Sequence, residues 1–195
     1  MKKIQSIVVI IMIFLVSGCS GAMSGTVVDD ETGKPIGGAI VYVEWTKTKG
    51  IGLSHTETYK VIETTTNKEG KFKVSGVLGL FVNPPIIVIY KNGYVAWRNE
   101  YIFPGLAKRS DYQGGDNYIF KLTQFRRNYS HSQHISFIEI GGLSHSSTKL
   151  DEAFSWEIPM AQRERKYFGE ISEQRRLSKY SEKEIWDEVV KKLYP

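Results

Sequence analysis

The stretch Ala39-Ile40-Val41-Tyr42-Val43-Glu44-Trp45 is the most informative segment for the fold, because apolar residues occupy every second position. Successive side chains of a β-strand point to opposite faces of the sheet, so this pattern predicts a strand with one face in a core. That inward face is expected to consist of Ala39, Val41, Val43 and Trp45.

Short runs with the same period of two continue from Met23 to about Phe125, separated by Gly, Pro, Asn and Asp. Such runs with frequent turn residues are typical of an antiparallel, immunoglobulin-like sandwich. Residues 71–74 and 118–122 are two of these runs. Their inward side chains are predicted to be Phe72, Val74, Tyr118, Phe120 and Leu122.

The segment Ile86–Tyr90 differs from the other strands because it is apolar throughout. A strand without alternation is expected to be covered on both faces, here by the C-terminal part of the chain. Turns are predicted at Asn67-Lys68-Glu69-Gly70 and at Asn92-Gly93, where glycine can adopt a positive φ. The long Gly-interrupted link from Thr46 to Thr58 indicates an extended hairpin or a mobile loop.

The composition changes after Phe125. Residues 126–147 are rich in Ser, His and Gly, and within them Ile135–Ile140 is a candidate strand. From Leu150 onward the sequence becomes helical and densely charged. A short helix is predicted from Met160 to about Phe168, since Pro159 suits a first helical position and Gly169 can end a helix.

A second helix is predicted to begin after Ser181, because Ser181-Glu182-Lys183-Glu184 has the form of a capping box. Its apolar residues recur at spacings of one, three and four and form a single stripe. The stripe consists of Ile185, Trp186, Val189, Val190 and Leu193. It is expected to pack on the chain's own sandwich or, alternatively, to bind a partner protein as a helix in a groove.

Several motifs together resemble the carboxypeptidase regulatory-like family. They are Gly25-Thr26-Val27-Val28-Asp29, Thr32-Gly33-Lys34-Pro35-Ile36, Gly38-Ala39-Ile40-Val41, residues 64–72 and Gly93-Tyr94. The resemblance implies a transthyretin-like (prealbumin-like) β-sandwich of about seven strands. In that family the sandwich accompanies a separate zinc carboxypeptidase domain. This chain has neither the length nor the ligand pattern for such a domain, so the resemblance does not imply peptidase activity.

The N-terminus combines a cationic start, Met1-Lys2-Lys3, with the unbroken apolar run Ile7–Val16. This run is short for a membrane span and is followed by the small residues Ser17-Gly18. Together with Cys19 the segment resembles a bacterial lipoprotein signal. The resemblance implies cleavage before Cys19, a diacylglyceryl thioether on its sulfur and an acylated amino terminus. A multiply acylated cysteine would hold the protein on a bilayer.

The predicted organisation follows from these segments. Residues 1–18 are the signal peptide, 19–22 a lipidated tether, 23–125 the β-sandwich, and 126–195 a loop and helical extension. The location implied is the bacterial cell envelope. Ser20, and not an aspartate, follows Cys19. By family analogy this favours the outer membrane if the source has two membranes.

The charge and cysteine content limit the function classes. The net charge is +5, of which Lys2 and Lys3 in the signal contribute two, and such a small excess does not indicate a nucleic-acid partner. The C-terminal region mixes 12 basic with 11 acidic residues, which is typical of a solvent-exposed face. Cys19 is the single cysteine and is predicted to carry lipid, so no further cysteine remains for a disulfide or a thiolate metal site within the chain.

The four histidines, His55, His131, His134 and His145, raise the question of a zinc site. No His-x-x-Glu or Glu-x-x-His pattern accompanies them, and their segment lacks helical regularity. Solvated loop histidines are therefore the preferred interpretation, and neither a metal nor a cofactor is predicted.

Two further patterns raise the possibilities of nucleophilic catalysis and of ion binding. Gly142-Leu143-Ser144-His145-Ser146 lacks the second glycine and the strand-to-helix context of a hydrolase nucleophile elbow. The acidic groups Asp29-Asp30-Glu31, Asp111 and Asp116 lack the spacing of an EF-hand and are interpreted as turn residues. The protein is therefore not expected to be an enzyme.

An aromatic set offers the alternative to a purely structural role. Trp45, Tyr90, Tyr94, Trp97 and Tyr101 could form a platform for sugars, with Trp97, Tyr94 and Tyr101 as candidate ligand-binding residues. Packing in the core and at a sandwich corner is the preferred interpretation. The sequence thus predicts an anchored, non-catalytic module that acts structurally or by binding an envelope protein, and, as the alternative, a carbohydrate-binding module.

Overall fold

The computed structural model describes residues 19–20, 22–50, 54–143, 149–174 and 181–195. In chain order its strands are β1 (Cys19–Ser20), β2 (Met23–Asp29), β3 (Ile40–Lys49), β4 (His55–Thr65), β5 (Lys71–Val74), β6 (Val77–Leu78), β7 (Ile86–Tyr90), β8 (Trp97–Arg98), β9 (Tyr101–Ile102), β10 (Ala107–Lys108) and β11 (Tyr118–Leu122). The helices that follow are α1 (His131–Ile138), α2 (Lys149–Phe154), the 3₁₀ turn Ser155–Glu157, α3 (Ile158–Gln174) and α4 (Glu182–Leu193).

The strands form a sandwich of two main sheets. One has the order β11-β2-β5 and the other β4-β3-β7-β8, while β1 pairs with β6 and β9 with β10. The strand β11 lies parallel to β2, with Tyr118 opposite Gly25, whereas the alternating pattern predicts antiparallel pairing. The predicted mainly β sandwich with a helical C-terminal extension is confirmed.

The core between the two sheets contains the inward residues predicted from the alternation. Val41, Val43 and Trp45 of β3 pack with Phe72 and with other buried residues of both sheets, among them Val74, Phe120 and Leu122. Tyr118 is partly buried and packs against the same cluster. Fully burying an aliphatic or aromatic side chain contributes about 1.5–3 kcal/mol, so this cluster is a main source of stability.

A second apolar cluster lies on the other face of the four-stranded sheet. Here Tyr42, Val88 and Tyr90 pack against helical residues, which include Ile135, Phe137, Ile138, Leu150 and Phe154. The strand β7 therefore contributes Ile87 and Ile89 to one cluster and Val88 and Tyr90 to the other. The prediction that Ile86–Tyr90 is covered on both faces is confirmed, and the molecule has three layers: sheet, sheet and helices.

Two predictions on the C-terminal region, one strand and one helix, need correction. Ile135–Ile140 is not a strand, because Ser130 caps a helix over His131–Ile138 whose apolar residues pack on the sheet. The helix predicted from Met160 to Phe168 runs from Ile158 to Gln174. It continues through Gly169 because Ile171 beyond it is buried, which outweighs the cost of about 1 kcal/mol for a helical glycine.

The capping box at Ser181 is confirmed. Ser181 Oγ accepts a hydrogen bond from the Glu184 backbone N–H at 3.3 Å, and the Ser181 N–H donates to Glu184 Oε2 at 2.6 Å. The stripe packs on helix α3 and not on the sandwich, since Ile185 and Val189 are buried with Ile171. Trp186 and Leu193 are half-buried members of the same cluster.

The hairpin of β3 and β4 is the extended one that the sequence allowed. Its register shifts between Trp45 and Thr46, and its pairing then continues to Lys49 opposite His55. Residues 51–53 lie outside the described part of the chain.

Replacing Gly70 with Ala is expected to lower the free energy of unfolding by about 1–3 kcal/mol. Gly70 has φ +70°, and an added Cβ would overlap the carbonyl oxygen of Val27. Gly93→Ala is the matched control, because Gly93 also has a positive φ (86°) but nothing within 4 Å of an added Cβ. Denaturant unfolding of both variants isolates the effect of the overlap. Equal losses of stability in Gly70→Ala and Gly93→Ala would show that the overlap with the Val27 carbonyl is not the cause.

Candidate functional site

A buried carboxylate, Glu157, lies where the 3₁₀ turn meets the four-stranded sheet and helix α1. Tyr90 Oη donates a hydrogen bond to Glu157 Oε1 at 2.8 Å. His131 Nδ1 lies 2.8 Å from Glu157 Oε2, and His134 Nδ1 lies 3.0 Å from the same oxygen. We call Glu157, Tyr90, His131 and His134 the polar centre. It joins the sheet to the helical layer.

The hydrogen bonds assign the tautomer of His134. The backbone N–H of Ala96 donates to His134 Nε2 at 2.8 Å, so Nε2 is the unprotonated acceptor. The ring proton is therefore on Nδ1, from which it is donated to Glu157. His134 is fully buried and uses both ring nitrogens in this way.

The electrostatics of the polar centre favour an ionised Glu157. Burial opposes ionisation and is the largest influence on its pKa, but hydrogen bonds from His131 and His134 outweigh it and lower the pKa to about 2. Burial and the nearby Glu157 charge raise the pKa of Tyr90 well above its usual value. Tyr90 thus remains a neutral donor, and Trp156 Nε1 donates to its oxygen at 2.7 Å.

A second buried carboxylate, Glu164 of α3, holds the N-terminus of α1. It accepts hydrogen bonds from the backbone N–H groups of His131 at 3.0 Å and Ser132 at 2.8 Å. Ser130 Oγ donates to it at 2.6 Å, and Tyr194 Oη donates at 3.0 Å. A negative charge at this position satisfies free amides and complements the helix dipole. The contact also ties the C-terminal Tyr194 to the helical layer.

Arg98 of β8 holds the opposite end of α1. Its Nη1 donates to the carbonyl of Ile138 at 2.5 Å, and its Nη2 donates to the carbonyl of Ile140 at 2.9 Å. The Arg98 side chain is fully buried and also pairs with Glu100 at 2.9 Å. Arg98 therefore fixes the C-terminus of α1 to the sheet, and Glu164 fixes its N-terminus to helix α3.

The polar centre was not predicted, and the interpretation of His131 and His134 as solvated loop residues is wrong. Both are buried on α1, where spacing of three places them on one helical face. That spacing was the available signal, but Glu157 follows too far along the chain to be recognised as their partner. His55 is exposed at the start of β4, and Ser144 and His145 lie outside the described residues.

The hydrogen bonds of the polar centre can fix the tautomer of His134, keep Glu157 ionised and hold helix α1 in one position. Glu157 accepts three donors and His134 uses both nitrogens, which leaves neither free to take a proton from a substrate. Within the described ranges, no cluster of three or more His, Cys, Asp or Glu residues is arranged to hold a metal ion.

The acidic turn residue Asp29 is saturated by protein donors. Its Oδ1 accepts hydrogen bonds from the backbone and side chain of Thr32, and its Oδ2 accepts from Tyr94 Oη at 3.0 Å and Gln124 Nε2 at 3.2 Å. The backbone of Thr32 and the Gln124 amide hold the pKa of Asp29 well below its usual range. This geometry agrees with the turn interpretation.

The candidate sugar-binding aromatics are not brought together on one surface. Trp97 is buried between the sheets, packs edge-on against Phe120 and lies under Arg109. Tyr94 packs on the same cluster and bonds to Asp29, whereas Tyr101 packs on the cluster under the helices. Two different sides of the sheet thus use these residues for packing.

The predicted lipid attachment site, Cys19, lies in strand β1. Its backbone is paired with Leu78, and Ser20 is paired with Val77, in antiparallel register. The point of attachment therefore adjoins the sandwich directly. In the described part of the chain, none of the helices combines the length and hydropathy needed to cross a bilayer.

Comparison with known proteins gives little further information. No protein-family model matches the chain, and no curated protein matches it. Among solved structures it is similar to a streptococcal ancillary pilin, with 17% identity and a TM-score of 0.30 over 55% of this chain and 30% of the pilin.

Two other solved structures give comparable values. The group B streptococcus pilus 2b backbone protein has 14% identity and a TM-score of 0.32 over 54% of this chain and 41% of that protein. A proposed carbohydrate-binding protein from Bacteroides uniformis has 16% identity and a TM-score of 0.29 over 54% and 42%. This chain thus spans well under two thirds of each of these proteins. At these scores the similarities carry no argument about function.

Proposed function

We propose that this protein is an envelope lipoprotein, anchored by acyl chains on Cys19, whose sandwich acts as a non-catalytic structural or protein-interaction module. The observation that carries the proposal is the sequence Val16-Ser17-Gly18-Cys19 directly after the apolar run Ile7–Val16. In a lipoprotein the Cys19 sulfur takes a diacylglyceryl group as a thioether, and cleavage leaves Cys19 as the acylated N-terminus.

The proposed placement is compatible with the fold of the chain. Cys19 lies directly beside the sandwich, because its backbone is paired with Leu78. The anchor would therefore hold the domain close to the bilayer. Each buried methylene adds about 0.8 kcal/mol, and a lasting anchor needs more than one chain. A multiply acylated Cys19 meets that requirement.

The non-catalytic part of the proposal is supported by the polar centre. Its donors and acceptors are used within the protein, and Glu164 and Arg98 fix α1 in place. Such a centre suits a rigid module that acts through its surfaces. Ile185 and Val189 of the stripe are buried against α3, so the half-buried Trp186 and Leu193 are the members that a partner protein can still reach.

Replacing Cys19 with Ser is expected to lower the membrane-bound fraction about tenfold or more, because the acyl chains lose their attachment atom. Ser17→Ala is the control, since it keeps a small residue before the cleavage site. The measurement is cell fractionation with immunodetection of the full chain. Sedimentation of Cys19→Ser with the envelope at the level of the parent would contradict the proposal.

A further inference from the structure

An exposed group of large apolar side chains lies on and beside strand β6. It consists of Tyr59, Leu78, Leu80 and Phe81, which are 43%, 71%, 46% and 74% exposed. We call these four residues the apolar rim. Scattered exposed apolar residues are common, but several adjoining ones mark an interaction surface.

The rim is held in place by the extended hairpin. The Thr48 N–H donates to the carbonyl of Phe81 at 3.3 Å, and the Asn83 N–H donates to the carbonyl of Thr46 at 2.8 Å. Tyr59 Oη donates to the carbonyl of Leu78 at 3.1 Å. The loop that carries Leu80 and Phe81 is therefore fastened to β3, and the exposure of its side chains is a property of the fold.

The backbone at Phe81 is unusual. Its φ is +61°, a conformation that is uncommon for residues other than glycine and costs of order 1–3 kcal/mol. The structure keeps this conformation although the Phe81 side chain gains little burial within the protein. Such an outlier indicates a role for the exposed Phe81 ring in contact with another molecule.

The rim adjoins the predicted lipid attachment site. Leu78 is the residue that pairs with Cys19, and the Cα atoms of paired antiparallel residues are about 4.5–5.5 Å apart. Cys19 is thus held directly beside the rim, with no linker between the two. Whatever surface holds acylated Cys19 must lie beside Leu78.

The chemistry of the rim also suits the interface between the apolar core of a bilayer and its headgroups. Tyr59 combines an aromatic ring with a hydroxyl, and Lys47 Nζ lies 5.9 Å from the centre of that ring. Tyrosine and lysine are favoured where apolar lipid meets the headgroups, because each has an apolar body and a polar end.

We propose that the apolar rim is a lipid-contacting surface, which enters the headgroup boundary of the same bilayer that holds Cys19. The inference rests on the proposed acylation of Cys19. Acyl chains fix the distance from the membrane, and the rim adds the second contact that fixes orientation. The polar centre would then lie away from the bilayer. Its Tyr90 is paired with Ile40 at one end of β3. Lys47, which forms a β-bridge with Val82 beside the rim, lies seven residues or about 23 Å further along the same strand.

The test uses the acylated mature protein, purified in detergent and reconstituted into phosphatidylethanolamine–phosphatidylglycerol vesicles. Phe81→Cys introduces a thiol for an environment-sensitive fluorophore, since the Cys19 sulfur is blocked as a thioether. Ile158→Cys is the matched control, because Ile158 is 40% exposed and follows Glu157 at the opposite end of β3. Nitroxide-labelled lipid is expected to quench the probe at position 81 at least about twofold more strongly than the probe at 158.

The outcomes separate the two proposals. Labelling of the parent protein at Cys19 would overturn the proposed acylation. An unlabelled parent, with both probes equally accessible to aqueous iodide, would overturn the lipid contact alone. Protection at position 81 that increases with protein density and shows no lipid quenching would also overturn it, since a second copy of the chain would then cover the rim.

Discussion

Replacing Glu157 with Gln is expected to lower the free energy of unfolding by about 3–5 kcal/mol. His134 Nε2 must accept the Ala96 N–H, so its Nδ1 carries the proton that points at Glu157. A Gln side chain offers one carbonyl oxygen and an NH₂ group, which cannot accept all the donors from His131, His134 and Tyr90. At least one buried donor loses its partner, and helix α1 loses its attachment to the 3₁₀ turn.

The measurement is urea unfolding followed by fluorescence, compared with Glu170→Gln. Glu170 is an exposed residue of α3, so its replacement is expected to change the stability by less than about 0.5 kcal/mol. Similar stabilities of the two variants would show that the polar centre does not lock the helical layer.

The pH dependence of stability gives an independent check on Glu157. Its pKa in the folded protein is about 2, below the ordinary value of 4.5, so its contribution is fully present above pH 4.5 and is lost as the pH falls toward 2. At 1.36 kcal/mol per pKa unit, this contribution is about 3 kcal/mol. The difference in stability between the parent and Glu157→Gln is therefore expected to shrink between pH 5 and pH 2. A constant difference across this range would contradict the assignment.

Replacing Arg98 with Met is expected to cost about 2–4 kcal/mol, because the carbonyls of Ile138 and Ile140 lose a buried donor. Met fills similar space, so the variant tests the polar contacts more than the packing. Arg98→Lys is expected to fall between Met and the parent, since an ammonium lacks the planar fork that reaches both carbonyls.

The measurement for Arg98 is denaturant unfolding combined with amide hydrogen exchange over α1, where protection should fall most. Arg126→Met is the control, because Arg126 is exposed in the loop before α1. Unchanged protection of residues 131–138 in Arg98→Met would contradict the proposed clamp on this helix.

The sandwich could be predicted because its information is local. Alternation over a few residues places Val41, Val43 and Phe72 on an inward face, and loss of alternation at Ile86–Tyr90 shows that both faces are covered. The helical layer was predicted as a cover for that strand. Helix α1 of that layer was not, since its Ser- and His-containing segment favours a loop unless Glu164 and Arg98 stabilise a helix there.

The candidate site was less accessible to sequence reasoning because its contacts are long-range. The alternation places Glu44 on the outward face of β3, yet Glu44 is buried and accepts hydrogen bonds from Tyr42 Oη and Thr58 Oγ1 at 2.6 Å each. Glu157 lies 26 residues after His131 and 67 after Tyr90, so no local pattern joins them. The rim was missed for the same reason: the pairing of Cys19 with Leu78 links two distant segments.

The mass of the N-terminal peptide of the protein, isolated from its native membranes, tests the lipid anchor most directly. We expect the peptide to begin at Cys19 and to carry a diacylglyceryl group on sulfur and a fatty acyl group on the new amino terminus. A peptide that retains residues before Cys19, or one that contains Cys19 as a free thiol, would contradict the proposed anchor.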